Sequence, residues 1–221
     1  KPLGSSIEQS RELLKIYEKE KIPNLVSANR RFLPLLNAGT EWFREQGNMR
    51  FIRGLFARPF RNEPDFFWST TVHAIDSMRH IGGEIGKYDI SPKVDQSGEN
   101  PWVQLQIQFS NDVTGTLEIM PTCGVNTENY EIYGSGFCTL FQNKDFFKEV
   151  TVQCWKNKEL LVDEKMDHRD HFFIRDGSLD EFSHFIDIVQ HGKQSALSID
   201  KFMPSTKICH KIVQTLKSIA H

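Results

Sequence analysis

The feature that most constrains the fold is a run of strictly alternating residues in the middle of the chain. Val103, Leu105, Ile107 and Phe109 are apolar, and a glutamine stands between each pair. This period of two is typical of a β-strand that is buried on one face only. Further strands, separated by short turns, are predicted over residues 114–120, 130–133, 137–141, 150–155 and 160–162. Such short connections favour an antiparallel meander over a βαβ array.

Before residue 66 the sequence predicts two helices and two strands. A capping box at Ser5 and Glu8 begins the first helix, and a short buried strand is predicted over residues 25–28. Pro34 lies in the first turn of a second helix over residues 34–46, and a strand is predicted over 49–60.

After the sheet region two helices close the chain. Ser178 and Glu181 form a second capping box, and the helix that follows is expected to end at Gly192. Its predicted apolar stripe consists of Phe182, Phe185, Ile186 and Val189. A last helix is predicted from about Met203, because apolar residues recur there at spacings of three and four.

The stretch 66–83 carries the candidate chemistry. Its apolar stripe at helical period consists of Val72, Ile75, Met78 and Ile81. A polar line beside that stripe, at spacings of four, three and four, consists of Ser69, His73, Asp76 and His80. Gly82 and Gly83 are typical of a helix C-cap. A histidine here is either a catalytic acid/base or an ordinary surface or core residue, since a near-neutral pKa permits both.

Composition narrows the class of protein. The 221 residues are 38% hydrophobic and 25% charged, which is typical of a globular protein with a sizeable core. The net charge of −2 argues against nucleic acid or an anionic membrane as partner, and no apolar run reaches the ~20 residues of a membrane span. Four cysteines without a C-x-x-C pair suggest reduced thiols. We therefore expect a cytoplasmic protein.

Two other groups of residues can be interpreted either as functional sites or as polar surface residues without a function. Arg50, Arg53, Arg58 and Arg61 either cover a solvated sheet face or recognise an anion. His168 and His171 lie three residues apart in a polar loop, but no third ligand follows at the spacing of a metal site. We therefore predict no metal.

Three short segments, in this order, resemble the glucose-fructose oxidoreductase/inositol dehydrogenase (Gfo/Idh/MocA) family. They are Lys1-Pro2-Leu3-Gly4 before a helix, Asn29-Arg30-Arg31-Phe32 before Pro34, and Val72-His73-Ala74-Ile75-Asp76 before two glycines. Gly134-Ser135-Gly136 and the two final helices also fall at the family's positions. The resemblance covers essentially the whole chain.

The resemblance implies a fold and a domain division. In that family a Rossmann domain binds NAD(P), and a second domain has an open, mainly antiparallel sheet with helices on one face. We therefore expect an α+β fold with an open mixed, mostly antiparallel sheet. Residues 1–32 would be the remnant of a Rossmann domain, and residues 33–221 the substrate-binding and dimerisation domain. The chain does not begin with methionine, so we expect a fragment without its nucleotide-binding half.

The resemblance also implies roles for individual residues. Lys1 matches the lysine of the family's E-K-P motif and His73 its acid/base, which makes these two the candidate catalytic residues. Ser69 stands where the family commonly has an aspartate, and a serine can hydrogen-bond a hydroxyl but carries no charge. The candidate substrate-binding residues are Ser69, Asp76, Trp68, Arg58 and His171. The candidate cofactor-binding residues are Lys1, Pro2, Asn29 and Arg30.

The function that follows is NAD(P)-dependent oxidation or reduction of a secondary alcohol on a sugar, cyclitol or polyol. The chain by itself is expected to be inactive, and the parent protein to be a homodimer or homotetramer through the sheet face. Two alternatives stay open: an NAD-using glycosidase of the same fold, and a non-catalytic binding or dimerisation module.

Overall fold

A computed structural model describes residues 1–94, 101–192 and 195–219. The helices are α1 (Ile7–Glu20), α2 (Pro34–Gln46), α3 (Phe66–Ser69), α4 (Val72–Gly82), α5 (Phe172–Arg175), α6 (Ser178–His191) and α7 (Ile199–Ile219), with a 3₁₀ turn at Asn29–Phe32. The strands are β1 (Phe51–Ala57), β2 (Ile85–Lys93), β3 (Trp102–Phe109), β4 (Thr114–Met120), β5 (Thr127–Tyr133), β6 (Phe137–Lys144), β7 (Glu149–Lys156) and β8 (Glu159–Lys165).

The strands form one mixed, mostly antiparallel sheet in the order β2-β3-β4-β1-β5-β6-β7-β8. The predicted fold class is therefore confirmed, and so is the meander of the later strands. The sequence did not indicate that β1 enters the middle of this meander, parallel to β4 and antiparallel to β5. This insertion brings the carboxyl ends of β1 and β4 beside the first residues of β5.

The core lies between the sheet and helices α2, α4 and α7, which cover one face. Alternate strand residues such as Ile52, Leu105 and Leu117 are completely buried there. Helix α4 approaches β1 closely at Gly54, where a Cβ atom would lie 2.8 Å from the sulfur of Met78. The stripe of α4 predicted from its sequence faces this core, and the helix ends as expected, with Gly83 donating its N–H to the carbonyl of Arg79.

Both predicted capping boxes are displaced. Helix α1 is capped by Ser6, whose hydroxyl accepts from the N–H of Gln9, one residue later than predicted. Helix α6 begins after Gly177, a residue with φ of 79°, and the side chain of Asp176 accepts from the N–H of Ser178. Glu181 is turned away from the helix end, because it accepts a hydrogen bond from Ser27.

One other local prediction was wrong. Residues 25–28 form no strand, and Val26 instead donates a single hydrogen bond to the carbonyl of Leu197. The apolar residues of α6 are largely exposed: Phe182 is 62% exposed, and Ile186 and Val189 are also exposed. Strand β2 was missed because its residues are mostly half-buried or exposed and do not alternate. In the described part of the chain, no helix is long and apolar enough to cross a membrane.

Candidate active site

The candidate site lies where the carboxyl end of β1 meets the start of β5 and the first turn of α4. His73 is the second residue of α4, and its backbone N–H donates to the carbonyl of Thr70 at 3.2 Å. Its side chain is only 8% exposed. Nδ1 of the imidazole is enclosed and has no hydrogen-bond partner among residues 1–94, 101–192 and 195–219. A buried polar atom without a partner is uncommon and needs a reason.

Beside His73 two arginines share one carboxylate. Arg30 binds Glu128 through Nε at 3.1 Å and Nη2 at 2.7 Å, in the bidentate arrangement that guanidinium favours. Arg58 binds the same carboxylate through Nη2 at 2.5 Å and also donates to the carbonyl of Ala57. All three side chains are buried. We call this group, Arg30, Arg58 and Glu128, the shared-carboxylate triad.

The triad fixes the charges at the site. Burial alone would raise the pKa of Glu128, but attraction by Arg30 and Arg58 outweighs it and lowers the pKa to about 2. Glu128 is therefore an anion at neutral pH, and the triad as a whole carries one excess positive charge. This charge acts on the neighbouring groups through a poorly solvated interior, where electrostatic interactions are weakly screened.

Burial, reinforced by the charges of Arg30, Lys1 and Arg58, lowers the pKa of His73 well below its usual 6.5. The imidazole is therefore neutral at physiological pH. A neutral imidazole can accept a proton, which is the state that a general base requires.

Lys1 belongs to the same group of charges. Burial, followed by repulsion from Arg30, lowers its pKa, while Glu128 acts in the opposite direction. The residue is nevertheless exposed, and its ammonium forms no hydrogen bond or ion pair within the described ranges. The backbone after it is anchored: Leu3 is buried, and Trp68 donates from its indole Nε1 to the carbonyl of Gly4 at 3.1 Å.

A strained turn packs against the shared-carboxylate triad. Asp145, Phe146 and Phe147 are consecutive non-glycine residues with positive φ (49°, 57° and 64°), a conformation that costs roughly 1–2 kcal/mol per residue. Phe147 is buried, and its ring lies 4.9 Å from the guanidinium carbon of Arg30. Asn143 accepts from the N–H of Phe147 at 2.9 Å. This turn therefore presents an aromatic face to Arg30.

The structure brings only some of the predicted residues together. Arg30 and Arg58 meet at Glu128, and both of them and Lys1 act electrostatically on His73. Asn29 is occupied by internal bonds, because it donates to the carbonyl of Asp176 at 2.8 Å and accepts from Arg30. Trp68 is buried, so its ring is part of the packing against α7, where it meets His210 edge-on.

Asp76 lies outside the site. It is 1% exposed and accepts two hydrogen bonds from Arg31, at 2.7 and 2.8 Å, and one from Ser205 at 3.0 Å. These bonds occupy the carboxylate that was expected to contact the substrate. His80, the last member of the predicted polar line, is bonded to Asn37 at 2.8 Å instead.

Ser69 and His171 are more accessible. Ser69 is half-buried, and its hydroxyl lies 3.4 Å from that of Thr70, which accepts a hydrogen bond from Arg61. His171 is exposed at the start of α5, where its Nδ1 accepts from the N–H of Phe173. Its ring is thus tied to its own helix.

Sequence reasoning missed Glu128 and Phe147. The signal for Glu128 was present, because it alternates with Tyr130 and Ile132 on the helix-covered face of β5, where a carboxylate requires a partner. Nothing local to residues 145–147 indicates that a phenylalanine there stacks on Arg30. Within the described residues, no group of three or more histidine, cysteine, aspartate or glutamate side chains is placed to hold a metal ion.

The chain was compared with known proteins. No family model matches it, and no match was found among curated proteins. Solved structures do match. A Gfo/Idh/MocA family oxidoreductase from Vibrio cholerae is 18% identical with a TM-score of 0.82, covering 100% of this chain and 70% of that one. A dehydrogenase (MviM) from Clostridium difficile is 18% identical with a TM-score of 0.81, covering 97% and 69%.

A third similar structure is levoglucosan dehydrogenase in complex with NADH and levoglucosan, 16% identical with a TM-score of 0.76, covering 98% of this chain and 70% of that one. These likenesses confirm at the level of the fold the resemblance drawn from the sequence. The chain has the fold that these oxidoreductases share.

Proposed function

We propose that this chain is the substrate-binding part of an NAD(P)-dependent oxidoreductase of the Gfo/Idh/MocA type. Its reaction would be the oxidation or reduction of a secondary alcohol on a sugar, cyclitol or similar polyol. The observation that carries the proposal is the state of His73. Its imidazole is buried and neutral, its Nδ1 lacks a protein partner, and Lys1 acts on it electrostatically.

Three residues have separate proposed roles in the reaction. In the oxidative direction the hydroxyl proton passes to His73 while the alcohol becomes a ketone, so a base must stand beside the carbinol oxygen. Lys1 donates a hydrogen bond to that oxygen and stabilises the negative charge that develops on it. Ser69, four residues before His73, is the proposed hydrogen-bonding partner for a second substrate hydroxyl.

A nicotinamide, when bound, supplies the acceptor for the hydride that leaves the carbinol carbon. Lys1 and Pro2 are the residues of this chain proposed to meet it, since Asn29 and Arg30 are engaged internally. Gly134-Ser135-Gly136 cannot hold the phosphates, because the segment joins β5 to β6 and no helix begins there.

The test is a turnover assay on a protein that carries this chain together with a nucleotide-binding domain. A panel of polyols is offered with NAD⁺ or NADP⁺, and the reduced nucleotide is measured by its absorbance. His73→Gln should lower kcat by roughly 10²–10⁴-fold, the usual contribution of a general base. His191→Gln, on the exposed end of α6, is the matched control and should leave kcat unchanged.

The pH profile gives a second readout. Because the pKa of His73 is depressed, kcat should stay constant down to a pH well below the ordinary histidine value of about 6.5 and fall only beyond it. Release of an aglycone without net reduction of the nucleotide would favour the glycosidase instead. No nucleotide binding at all would contradict the oxidoreductase.

The open face of the sheet is the proposed interface for dimers or tetramers. Its half-buried side chains include Leu55, Met120, Leu140 and Trp155, although no helix of the described residues covers this face. Analytical ultracentrifugation should therefore detect dimers that Leu55→Glu dissociates. Ile16→Glu, on the exposed side of α1, is the control and should leave the mass unchanged.

A further inference from the structure

We propose that Ser77 and Tyr130 are positioning residues for the imidazole of His73. Their hydroxyls keep the proton of the neutral ring on Nδ1 and so leave Nε2 free to accept the proton of a substrate hydroxyl. The tautomer is a property of this chain by itself, whereas its use in catalysis rests on the proposed function. The inference is drawn from three enclosed polar atoms between α4 and the sheet.

The packing of Tyr130 brings its ring against α4. Tyr130 is completely buried on β5 and stands opposite Gly54 of β1 in the sheet. A Cβ atom on Gly54 would lie 3.5 Å from Cε1 of Tyr130 and 2.8 Å from the sulfur of Met78 on α4. The glycine therefore lets the aromatic ring and the helix meet at this point, beside Ser77, the residue before Met78.

Ser77 and Tyr130 each carry an enclosed hydroxyl. Burial, with the Glu128 anion adding to it, raises the pKa of Tyr130, while the hydroxyl of Ser77 acts in the opposite direction. Tyr130 therefore keeps its proton at neutral pH. Ser77 is completely buried, and neither hydroxyl has a hydrogen-bond partner among residues 1–94, 101–192 and 195–219. Both hydroxyls can still donate and accept.

His73 lies one helical turn before Ser77. Residues four apart lie on the same face of a helix, so the side chains of His73 and Ser77 are neighbours along α4. Of the two ring nitrogens of His73, Nδ1 is the enclosed one without a partner in the described residues. The ring nitrogen, the serine hydroxyl and the tyrosine hydroxyl therefore form a series that leads from the candidate site into the core.

Other polar groups near His73 are engaged or face elsewhere. The carboxylate of Glu128 accepts from the two arginines of the triad, and that of Asp76 accepts from Arg31. Thr71 also has an enclosed hydroxyl, but it precedes His73 by two residues, and residues two apart do not face each other on a helix. Ser77 is therefore the acceptor that fits Nδ1.

A pair of hydroxyls suits a general base for a chemical reason. A neutral imidazole carries one proton, and it can accept another at Nε2 only when that first proton is on Nδ1. After Nε2 has taken the hydroxyl proton of the substrate, the ring is a cation, and its buried Nδ1–H needs an acceptor. A serine hydroxyl can accept from Nδ1–H and donate to Tyr130 at the same time.

The test measures the tautomer by NMR on this chain, prepared with isotope-labelled histidine. A protonated ring nitrogen and an unprotonated one differ in chemical shift, and His73→Gln identifies the signals of His73 through their loss. In the unmodified chain at neutral pH we expect Nδ1 to carry the proton. A proton on Nε2 would overturn the inference.

Two variants locate the effect. Ser77→Ala should move the tautomer ratio about tenfold towards Nε2–H, as the loss of one neutral hydrogen bond would give. Tyr130→Phe keeps the ring and should move the ratio in the same direction by about threefold, because it acts through Ser77. The matched controls are Ser183→Ala on exposed α6 and Tyr133→Phe on the other face of β5, and both should leave the ratio unchanged.

A ratio that stays the same in both Ser77→Ala and Tyr130→Phe would show that the two hydroxyls only fill space, and the inference would be wrong. If one of these variants does not fold, which the loss of signal dispersion reveals, the other decides.

Turnover gives a readout that a purely structural role would not move. In a protein that carries this chain with a nucleotide-binding domain, Ser77→Ala should lower kcat about tenfold and change KM by less than about twofold, because Ser77 does not touch the substrate. The lost hydrogen bond also favoured the protonated ring, so the fall of kcat in acid should move to lower pH. An unchanged kcat would overturn the positioning role. The expected tautomer without turnover of any polyol would support the inference and count against the oxidoreductase.

Discussion

Two ionic clusters lie next to α4, and they differ in charge balance. The shared-carboxylate triad has two arginines for one carboxylate, with Lys1 and a neutral His73 beside it. The second cluster has two arginines, Arg31 and Arg79, for two carboxylates, Asp76 and Glu84. One cluster is therefore positive, and the other is neutral.

The difference separates the candidate site from a cluster in which every carboxylate is paired. The neutral cluster joins the 3₁₀ turn to α4 and, through Ser205, to α7, and its bonds of 2.6–3.0 Å leave the carboxylate of Asp76 fully occupied. The positive cluster leaves one ammonium and one imidazole nitrogen without partners. A buried polar atom without a partner, such as Nδ1 of His73, needs an explanation.

The largest expected effect on stability comes from a substitution that breaks the neutral cluster. Asp76→Asn leaves Arg31 and Arg79 without their shared counter-charge, and it should lower the free energy of unfolding by about 3–5 kcal/mol. Urea denaturation followed by circular dichroism measures this loss. Asp89→Asn, on exposed residue 89 of β2, should change stability by less than about 0.5 kcal/mol. A loss below about 1 kcal/mol for Asp76→Asn would show that the cluster does not hold the helices.

The second-largest expected effect is a loss of stability at low pH that comes from the positive cluster. The folded pKa of Glu128, about 2, lies below the ordinary value of 4.5, so its stabilisation is complete above about pH 5 and disappears as the pH falls towards 2. The contribution is on the order of 3 kcal/mol, at about 1.36 kcal/mol per unit of pKa. The stability difference between the unmodified chain and Glu128→Gln should therefore shrink steadily below pH 5. A difference that is constant with pH would contradict the assignment.

The smallest effect concerns an arginine outside both clusters. Arg53 pairs with Glu118 on the open face of the sheet at 3.4 Å, and its side chain is half exposed. Arg53→Gln should cost no more than about 0.5 kcal/mol, since exposed ion pairs contribute little. Thermal unfolding in low and high salt checks this value. A larger cost that persists in high salt would mean that this face is more shielded from water than its exposure indicates.

Some of these features could be predicted from the local sequence pattern alone. The alternation of residues 103–109 and the short turns after it predicted the sheet, because a strand with one buried face needs that period. The stripe of α4 and its glycine stop were also correct. Such features depend only on residues that lie close together in the sequence, so the sequence pattern is enough to predict them.

The rest depended on partners far apart in sequence. The spacing of four polar residues predicts one helical line through Ser69, His73, Asp76 and His80. In the structure α3 ends at Ser69, Asp76 accepts from Arg31, and His80 is bonded to Asn37. Local sequence pattern therefore predicted most of the strands, the long helices and a candidate histidine. Two contacts could be seen in the tertiary structure alone: Asp76 is held by Arg31, and Glu128 pairs with Arg30, 98 residues away in the sequence. The physical reason is that the charge state of a buried group depends on what surrounds it in space.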